Sequence, residues 1–167
     1  MMSQNNVTRL LDSRGVRYTA YDLPDEKLGA LETAKLLHVP ADTVFKTIVV
    51  GRGAPKRPLL VMIPGTATVD LKLLAAAVGE QKVHLPTERE AEAMTGLQAG
   101  GISPLALLNR GFGIVLDASA RDHEEIHISG GRRGLNIRLP VAALLEITHA
   151  RIHPVSRPAA EGSSVQG

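Results

Sequence analysis

The 167-residue sequence predicts an α+β fold, and three observations support this prediction. A run of β-branched residues, 47–50, and a continuous apolar run, residues 59–63, are joined by a short turn rich in Gly, Pro and basic residues, which is typical of two buried antiparallel strands. Residues 125–129 and 135–139 each alternate apolar and polar side chains, which predicts a hairpin. Between these strands lie segments with helix caps and with apolar residues at helical spacing.

Each predicted helix rests on its apolar spacing and on the residue types at its ends. Asp70 is placed to cap the third helix, and Thr87 with Glu90 forms a capping box at the start of the fourth. Pro140 opens the last one. The predicted helical segments are the one around Val7, Leu10 and Leu11 before Gly15, residues 32–38, residues 71–78, residues 88–94, and the segment carrying Val141, Leu144 and Leu145.

The remaining strands and the domain limits follow from shorter signals. Short strands are predicted at residues 17–22, 83–85, 112–116 and 150–155, and a loop at residues 64–68. A chain of this length predicts one domain, residues 1–155. Residues 156–167 are small, polar and rich in Gly and Pro, so we expect a disordered tail.

The predicted hairpin places its polar residues on one face. A four-residue loop, residues 130–133, would pair Ile128 with Leu135, and the apolar side chains of both strands would then share a face. The opposite face carries His127, Ser129 and Asn136. This polar face is either exposed to solvent or the wall of a binding site.

The composition excludes several kinds of site. The chain has no cysteine, which rules out disulfides, thiolate nucleophiles and zinc–cysteine centres and suits a cytoplasmic protein. No apolar run approaches the roughly 20 residues that a membrane span needs, and the polar N-terminus has no signal-peptide segment. We expect neither a cofactor nor a metal ion.

The formal net charge of +2 argues against a broad phosphate-binding surface. Positive charge is nevertheless clustered, at Arg132, Arg133 and Arg138 and again at Lys56 with Arg57. No aromatic residues interleave with these clusters in the sequence, so a stacking platform for single strands is not expected. Such clusters are commonly solvated loops, although they could hold the end of a nucleic acid.

Lys46 stands at the entrance to the first buried strand, where burying an unpaired ammonium group would be costly. Two interpretations compete. In the first, the side chain lies along apolar surface and keeps its head in water. In the second, the lysine is held at a pocket mouth, where it binds an anion or polarises a carbonyl group.

Residues 123–127 match the H-E-x-x-H motif of zinc peptidases, in which both histidines share one face of a helix. Here the second half of the segment alternates like a strand, on which His123 and His127 would lie about 13 Å apart, too far to share one zinc ion. Gly130 and Gly131 follow at once, where a peptidase helix would continue. A zinc hydrolase is therefore the weakest of three functional hypotheses.

Three segments, in this order and spacing, resemble the YbaK/EbsC-type aminoacyl-tRNA deacylases, which are relatives of the editing domain of bacterial prolyl-tRNA synthetase. They are residues 44–47 at the start of a strand, residues 95–104 with a double glycine, and residues 128–135 with a second double glycine. The resemblance covers about residues 7–152. It implies a single domain built on a mixed, barrel-like β-sheet flanked by helices, and hydrolysis of the ester that joins a wrong amino acid to tRNA.

The resemblance also implies roles for individual residues. Lys46 matches the essential lysine of the family, and Gly100 with Gly101 matches the loop that contacts the ester carbonyl. Backbone N–H groups at such a turn can stabilise an oxyanion, and glycine permits the close approach because it lacks a Cβ atom. Asn136 stands where some members carry an acidic residue, which bears on amino-acid specificity. The expected substrate-binding residues are Tyr21, Phe45, Thr47, Ile102, Ser103, Ser129, Gly130, Gly131 and Asn136.

Tyr21 lies near the position of a tyrosine found in cysteine-specific members, and a half-buried strand tyrosine is the alternative interpretation. The leading hypothesis is a trans-editing deacylase that acts on the acceptor end of aminoacyl-tRNA, with prolyl-tRNA synthetase as a potential partner. Cysteine, proline-like and alanine esters are the family's candidate substrates. The second hypothesis is a non-catalytic module that holds tRNA ends or assists a synthetase.

Overall fold

The chain folds into helices packed on β-sheets, which confirms the predicted α+β class. The computed structural model describes residues 4–160. Within that range the helices are α1 (Asn6–Ser13), α2 (Ala30–Leu37), α3 (Leu71–Val78), α4 (Glu88–Thr95) and α5 (Val141–Thr148). The strands are β1 (Thr19–Asp22), β2 (Phe45–Val50), β3 (Leu59–Pro64), β4 (Ala67–Val69), β5 (Gly113–Asp117), β6 (Glu125–Ser129), β7 (Leu135–Pro140), β8 (Arg151–His153) and β9 (Ser156–Pro158).

The largest sheet has the strand order β2-β3-β5-β8 and is mixed. β2 runs antiparallel to β3, as the two runs predict, whereas β5 and β8 add in parallel. A second, antiparallel sheet has the order β1-β7-β6, and a bridge between Val44 and His127 joins it to the start of β2. The mixed sheet is confirmed, but the sheets do not close into a barrel.

The helices begin where their capping residues predict. The Asp70 carboxylate accepts hydrogen bonds from the N–H groups of Lys72 and Leu73 at the start of α3. Thr87 and Glu90 form the predicted capping box at the start of α4. Each helix has eight residues, and none in the described range is long and apolar enough to cross a membrane.

Apolar layers hold the sheets against the helices. Every residue of β3 is buried, which explains its continuous apolar sequence. The apolar face of the β6–β7 hairpin packs with α1 and α5, where Leu11, Ile137 and Leu144 are fully buried. The β2–β3 pair packs with α3 through Leu74. The polar face of the hairpin is thereby left on the side of β2, where the site lies.

The hairpin register differs from the prediction by two residues. Ile128 pairs with Ile137 rather than with Leu135, and Ser129 pairs with Asn136. The loop comprises residues 131–134, one position later than predicted, because the N–H of Gly130 still donates to the carbonyl of Leu135 at 2.8 Å. Since side chains alternate with a period of two, the predicted division into an apolar and a polar face is unchanged.

Two further differences come from a pairing that is remote in sequence. Ala67–Val69, predicted as loop, form β4, and Ser156–Pro158, predicted as the start of the tail, form β9 against it. Val155 is fully buried, and its N–H donates to Asp117 Oδ1 at 2.9 Å. β9 thus lies past the boundary predicted at residue 155, and residues 161–167 of the predicted tail lie outside the described residues.

The strand predicted at residues 83–85 is reduced to a single bridge between Gly51 and His84. Gly51 follows β2 directly, and a Cβ atom there would lie 2.3 Å from His84 Cε1, so the imidazole occupies space that only glycine leaves free. The bridge fixes the segment after His84 against the end of β2.

Candidate active site

A pocket of about 440 Å³ lies beside β2, within the size range of small-molecule sites. Its walls come from β2, the loop before α2, the start of α4, the loop after α4, and the β6–β7 hairpin. The predicted site residues that line it are Phe45, Lys46, Thr47, Gly100, Ile102, Ser129 and Asn136. The structure therefore brings parts of all three sequence motifs into one concave site.

Lys46 lies in the pocket wall with only 7 % of its surface exposed. Its Nζ is 3.4 Å from the carbonyl oxygen of Gly65, and no carboxylate among the described residues pairs with it. Burial lowers the pKa of Lys46 to about 8, because desolvation disfavours the charged form. Near pH 7 the ammonium is still the main form, and its burial does not fit a head group held in bulk water.

The glycine loop, residues 97–101, is fixed at Ala99 by side chains from both sides. The Ala99 N–H donates to Glu92 Oε2 of α4 at 2.8 Å. The Ala99 carbonyl accepts from Arg133 Nε of the hairpin loop at 2.7 Å. The backbone just before the double glycine is therefore held between a helix and a hairpin.

The two glycines of this loop have different surroundings. Gly100 lines the pocket and has φ +89°, a conformation that favours glycine. Gly101 does not line the pocket, and a Cβ atom on it would lie 2.8 Å from the backbone of Arg132. The N–H of Gly101 donates to the carbonyl of Gln98 at 2.8 Å, so this donor is already used within the loop.

Asn136 lies in the pocket wall beside a buried histidine. Its Oδ1 is 2.9 Å from Nδ1 of His127, whose exposed fraction is 3 %. Because an amide oxygen only accepts, the imidazole carries its proton on Nδ1. Burial lowers the pKa of His127 and outweighs the hydrogen bond to Asn136, so the ring is neutral near pH 7.

Tyr21 and Ser103 were expected to bind substrate, but neither lines the pocket. Tyr21 lies on β1 opposite Asn136, and its ring centroid is 5.6 Å from that of His127. Ser103 is fully buried and accepts a hydrogen bond from the N–H of Leu105, which caps a short helical turn. Tyr21 thus packs against His127 behind the pocket wall, and Ser103 caps the helical turn that follows the glycine loop.

Gly130 and Gly131 also lie away from the pocket, toward α1. The carbonyl of Gly130 accepts a hydrogen bond from Asn5 Nδ2 at 2.8 Å. A Cβ atom on Gly131 would lie 3.0 Å from Val7 Cγ2. This double glycine therefore permits close packing between the hairpin loop and the first helix.

The H-E-x-x-H segment adopts the extended conformation that its alternation predicts. His127 lies on β6, and His123 precedes that strand with its ring edge-on to Phe45 at 6.4 Å. The helical arrangement that the zinc motif requires is absent from this segment. Within residues 4–160 no three His, Asp or Glu side chains are grouped as metal ligands would be.

Several wall residues were not predicted as site residues. The loop before α2 and the first residue of that helix contribute residues 26–30, and the segment before α4 contributes Leu85 and Pro86. Lys27 and Glu88, one from each side, form an ion pair. His127, Glu92 and Arg133 do not line the pocket, but they hydrogen-bond to Asn136 and Ala99, which do.

The chain is similar to known proteins in sequence and in fold. Residues 26–147 match the aminoacyl-tRNA editing domain family. A protein of Enterococcus faecalis, EbsC, named as a proposed Cys-tRNA(Pro)/Cys-tRNA(Cys) deacylase, is 31 % identical over 155 residues, which cover 92 % of this chain and 93 % of the relative.

Two solved structures share the fold. A hypothetical protein superposes with a TM-score of 0.83 at 25 % identity, over 92 % of this chain and 100 % of its own. A proposed trans-editing enzyme for prolyl-tRNA synthetase superposes with a TM-score of 0.76 at 22 % identity, over 93 % of this chain and 99 % of its own. With the family match over most of its length and a relative aligned almost end to end, the chain belongs to the aminoacyl-tRNA editing domain family.

Proposed function

We propose that this protein hydrolyses the ester bond between tRNA and a wrongly attached amino acid, acting in trans after a synthetase has released the mischarged tRNA. The observation that carries the proposal is Lys46, a buried cation without an ion-pair partner in the described range, on the wall of a pocket bordered by a glycine loop. Such a cation can hold a phosphate of the terminal adenosine or polarise the ester carbonyl.

The chemistry needs no protein nucleophile, because an aminoacyl ester is already labile. The hydroxyl groups that line the pocket belong to Thr33, Thr47 and Ser129, and none hydrogen-bonds to a histidine or carboxylate within residues 4–160. The attacking group is then water or a nucleophilic side chain of the substrate itself. It bonds to the carbonyl carbon, the bond to the ribose oxygen breaks, and that oxygen takes up the proton that the attacking group loses. Water gives the free amino acid directly, whereas a side chain gives a cyclic ester or thioester that water then opens. The free ribose hydroxyl beside the ester can relay the proton.

The oxyanion that forms on the carbonyl needs a donor that is free to turn toward it. The N–H of Gly101 is used by Gln98, whereas the N–H groups of Gly100 and Ile102 have no acceptor among the described residues. We therefore assign the stabilising role to Gly100 and Ile102, with about 3–4 kcal/mol per donor as the scale of the effect. Gly101 instead allows the glycine loop to pack closely against the hairpin loop.

The substrate we propose is a cysteinyl ester, as on Cys-tRNA(Pro), with prolyl-tRNA synthetase as a partner. The name of the Enterococcus faecalis relative supports the amino acid, and the trans-editing fold relative supports the synthetase. We propose that amino-acid choice depends most on Asn136, because it lines the pocket and its amide is hydrogen-bonded to the buried His127.

A panel of mischarged tRNAs tests this proposal. Cys-tRNA(Pro), Ala-tRNA(Pro), Cys-tRNA(Cys) and Pro-tRNA(Pro) would each be incubated with excess protein, with and without prolyl-tRNA synthetase. We expect rapid single-turnover release of cysteine from tRNA(Pro) and little release of proline. Binding of all four without release would establish the non-catalytic module in place of the deacylase.

A further inference from the structure

We infer that an arginine cluster, in which hydrogen bonds to backbone carbonyls connect Arg52 to Arg57 and Arg57 to Arg110, binds phosphate groups of the RNA strand that leads into the pocket. The identity of that strand rests on the proposed function, whereas the anion site itself rests on the geometry of the cluster. Phe112 is remote from Arg57 in the sequence. In the fold it comes to lie beneath Arg57, with the guanidinium carbon 4.6 Å from the ring centroid.

Arg57 is held in one orientation by three interactions. Its Nε donates to the carbonyl of Arg110 at 3.1 Å, and its guanidinium lies over Phe112. Its stem lies against Gly111, where a Cβ atom would be 3.2 Å from Arg57 Cγ. An exposed arginine normally loses much rotamer freedom when it binds a ligand, and this one is already ordered.

Arg52 is placed in the same way, by a backbone carbonyl. Its Nε donates to the carbonyl of Arg57 at 2.6 Å. Both arginines thus use Nε internally, and their terminal Nη groups donate to no acceptor among the described residues. A pair of free Nη groups on a fixed guanidinium matches the oxygens of a phosphate, which arginine binds in bidentate fashion.

The charge of the cluster is not neutralised by neighbours. No carboxylate within residues 4–160 forms an ion pair with any of the three arginines. The acidic group of the adjoining surface, Glu80, is bound to Lys56 at 2.7 Å. Arg57 and Arg110 are exposed and Arg52 is half-buried, so three positive charges without an ion-pair partner in the described range lie on neighbouring backbone segments, and such a patch attracts phosphate without reading sequence.

The cluster is connected to the pocket through β2 and through the segment after His84. Arg52 follows Gly51, which is bridged to His84, and Leu85 after it lines the pocket. Along β2 the five residues from Lys46 to Gly51 span about 17 Å. Since a stacked strand advances about 3.4 Å per nucleotide, the cluster lies within about five nucleotides of an ester held at Lys46. Phosphates of the single-stranded acceptor end are thus the anions within reach.

The test uses an uncharged RNA hairpin with an acceptor stem and a single-stranded CCA end, labelled with a fluorophore. Because the probe carries no ester, the outcome does not depend on hydrolysis. Anisotropy titrations at several salt concentrations would compare the wild type with Arg57→Gln/Arg110→Gln. The matched control is Arg151→Gln, on the exposed edge strand β8 at the other side of the sheet from β2.

We expect the double variant to bind about tenfold more weakly, as for the loss of charge-assisted hydrogen bonds. The slope of log Kd against log salt should fall by about 1 for each phosphate that the variant no longer binds. Arg57→Lys provides a second variant that keeps the charge, and it should keep the slope while losing affinity. Equal affinity and slope for wild type and double variant, or no binding of the hairpin by wild type at low salt, would overturn the inference.

Discussion

Lys46 loses most of its hydration where β2 enters the sheet, and within the described residues only the Gly65 carbonyl, at 3.4 Å, replaces any of it. This is an unstable arrangement for a structural residue, because a buried unpaired cation costs free energy. The cost is explained if the partner of this charge is a bound ligand. The lysine and its strand are visible in the sequence, but its burial and its lack of a carboxylate partner depend on the whole fold.

Replacing this lysine by methionine separates its charge from its stem. Lys46→Met keeps a long apolar side chain, so we expect the melting temperature not to fall, whereas deacylation should fall by about 10²-fold or more, as for loss of an oxyanion donor. Single-turnover hydrolysis of a mischarged tRNA measures this. Lys46→Arg is the control for charge position, because its wider planar group keeps the charge but displaces it. Normal turnover in a folded Lys46→Met protein would exclude a role in the reaction.

The lowered pKa of Lys46 also predicts a pH dependence of stability. The folded protein releases this proton at a pKa of about 8, whereas the unfolded chain holds it up to 10.5. Between these values the unfolded state binds more protons, so the free energy of unfolding should rise with pH, by at most about 1.4 kcal/mol per unit. Below pH 8 both states are protonated and this slope vanishes. Urea titrations from pH 7 to 10 should show the rise in wild type and a flatter profile in Lys46→Met.

Asn136 and His127 form the other pair whose protonation can be tested. In Asn136→Asp a carboxylate would face the buried imidazole, and an adjacent negative charge favours imidazolium, so the pKa of His127 should rise from its lowered value. The new charge at the pocket wall should also shift amino-acid preference. Titration of the histidine by NMR reports the first effect, and the mischarged tRNA panel reports the second. A raised pKa with an unchanged substrate profile would remove Asn136 from the specificity residues.

At the scale of elements, the sequence predicts what is encoded locally. The α4 capping box and the buried β2–β3 pair are found as expected, because a few adjacent residues determine them. The hairpin faces are also correct, since a two-residue shift of register does not change them. β4 and β9 have no local signal, because each is a three-residue strand that exists only through the other.

The same distinction applies to the site. The motifs predict that Lys46, Gly100 and Asn136 lie together, and these residues do share the pocket. The clamp of the glycine loop by Glu92 and Arg133 could not be predicted, because both hydrogen bonds are to the backbone of one alanine. Backbone hydrogen bonds leave no pattern of residue types at the position that receives them.

The packing of the glycine loop on the hairpin loop predicts the effect of a single methyl group. In Gly101→Ala the new Cβ atom would lie 2.8 Å from backbone atoms of Arg132, which cannot move aside as a side chain can. We expect a loss of about 1–3 kcal/mol in unfolding free energy, typical of overpacking, and a large loss of deacylation because the loop shifts. Urea unfolding and single-turnover assays measure the two effects.

Gly29→Ala is the matched control for stability, because no atom lies within 4 Å of its added Cβ and its φ of −76° suits any residue. Gly29 is the N-cap of α2, where alanine is less favourable than glycine, but alanine also lowers the entropy of the unfolded chain, so we expect unfolding within about 0.5 kcal/mol of wild type. If Gly101→Ala were equally stable and fully active, the close approach of the two loops would have no part in holding the pocket.

At the scale of the whole molecule, the last described residues pack into the fold. Val155 is fully buried, and its N–H donates to Oδ1 of Asp117, itself buried at the end of β5. β9 then covers β4, which follows directly from β3. β3 lies inside the sheet and pairs with β2, the strand that carries Lys46. Through β4 it is therefore connected to β9, a segment more than ninety residues later in the sequence.

Truncation tests whether this packing stabilises the fold. Ending the chain after Pro154 would remove the buried Val155 side chain and leave Asp117 Oδ1 without its donor, so we expect a loss of about 3 kcal/mol or more from lost apolar burial and an unsatisfied buried acceptor. In a protein of this size that corresponds to roughly 10 °C in melting temperature. Thermal unfolding of this truncation and of the full-length protein by circular dichroism decides the matter. Equal melting temperatures for the two would show that Val155 and β9 contribute nothing to stability.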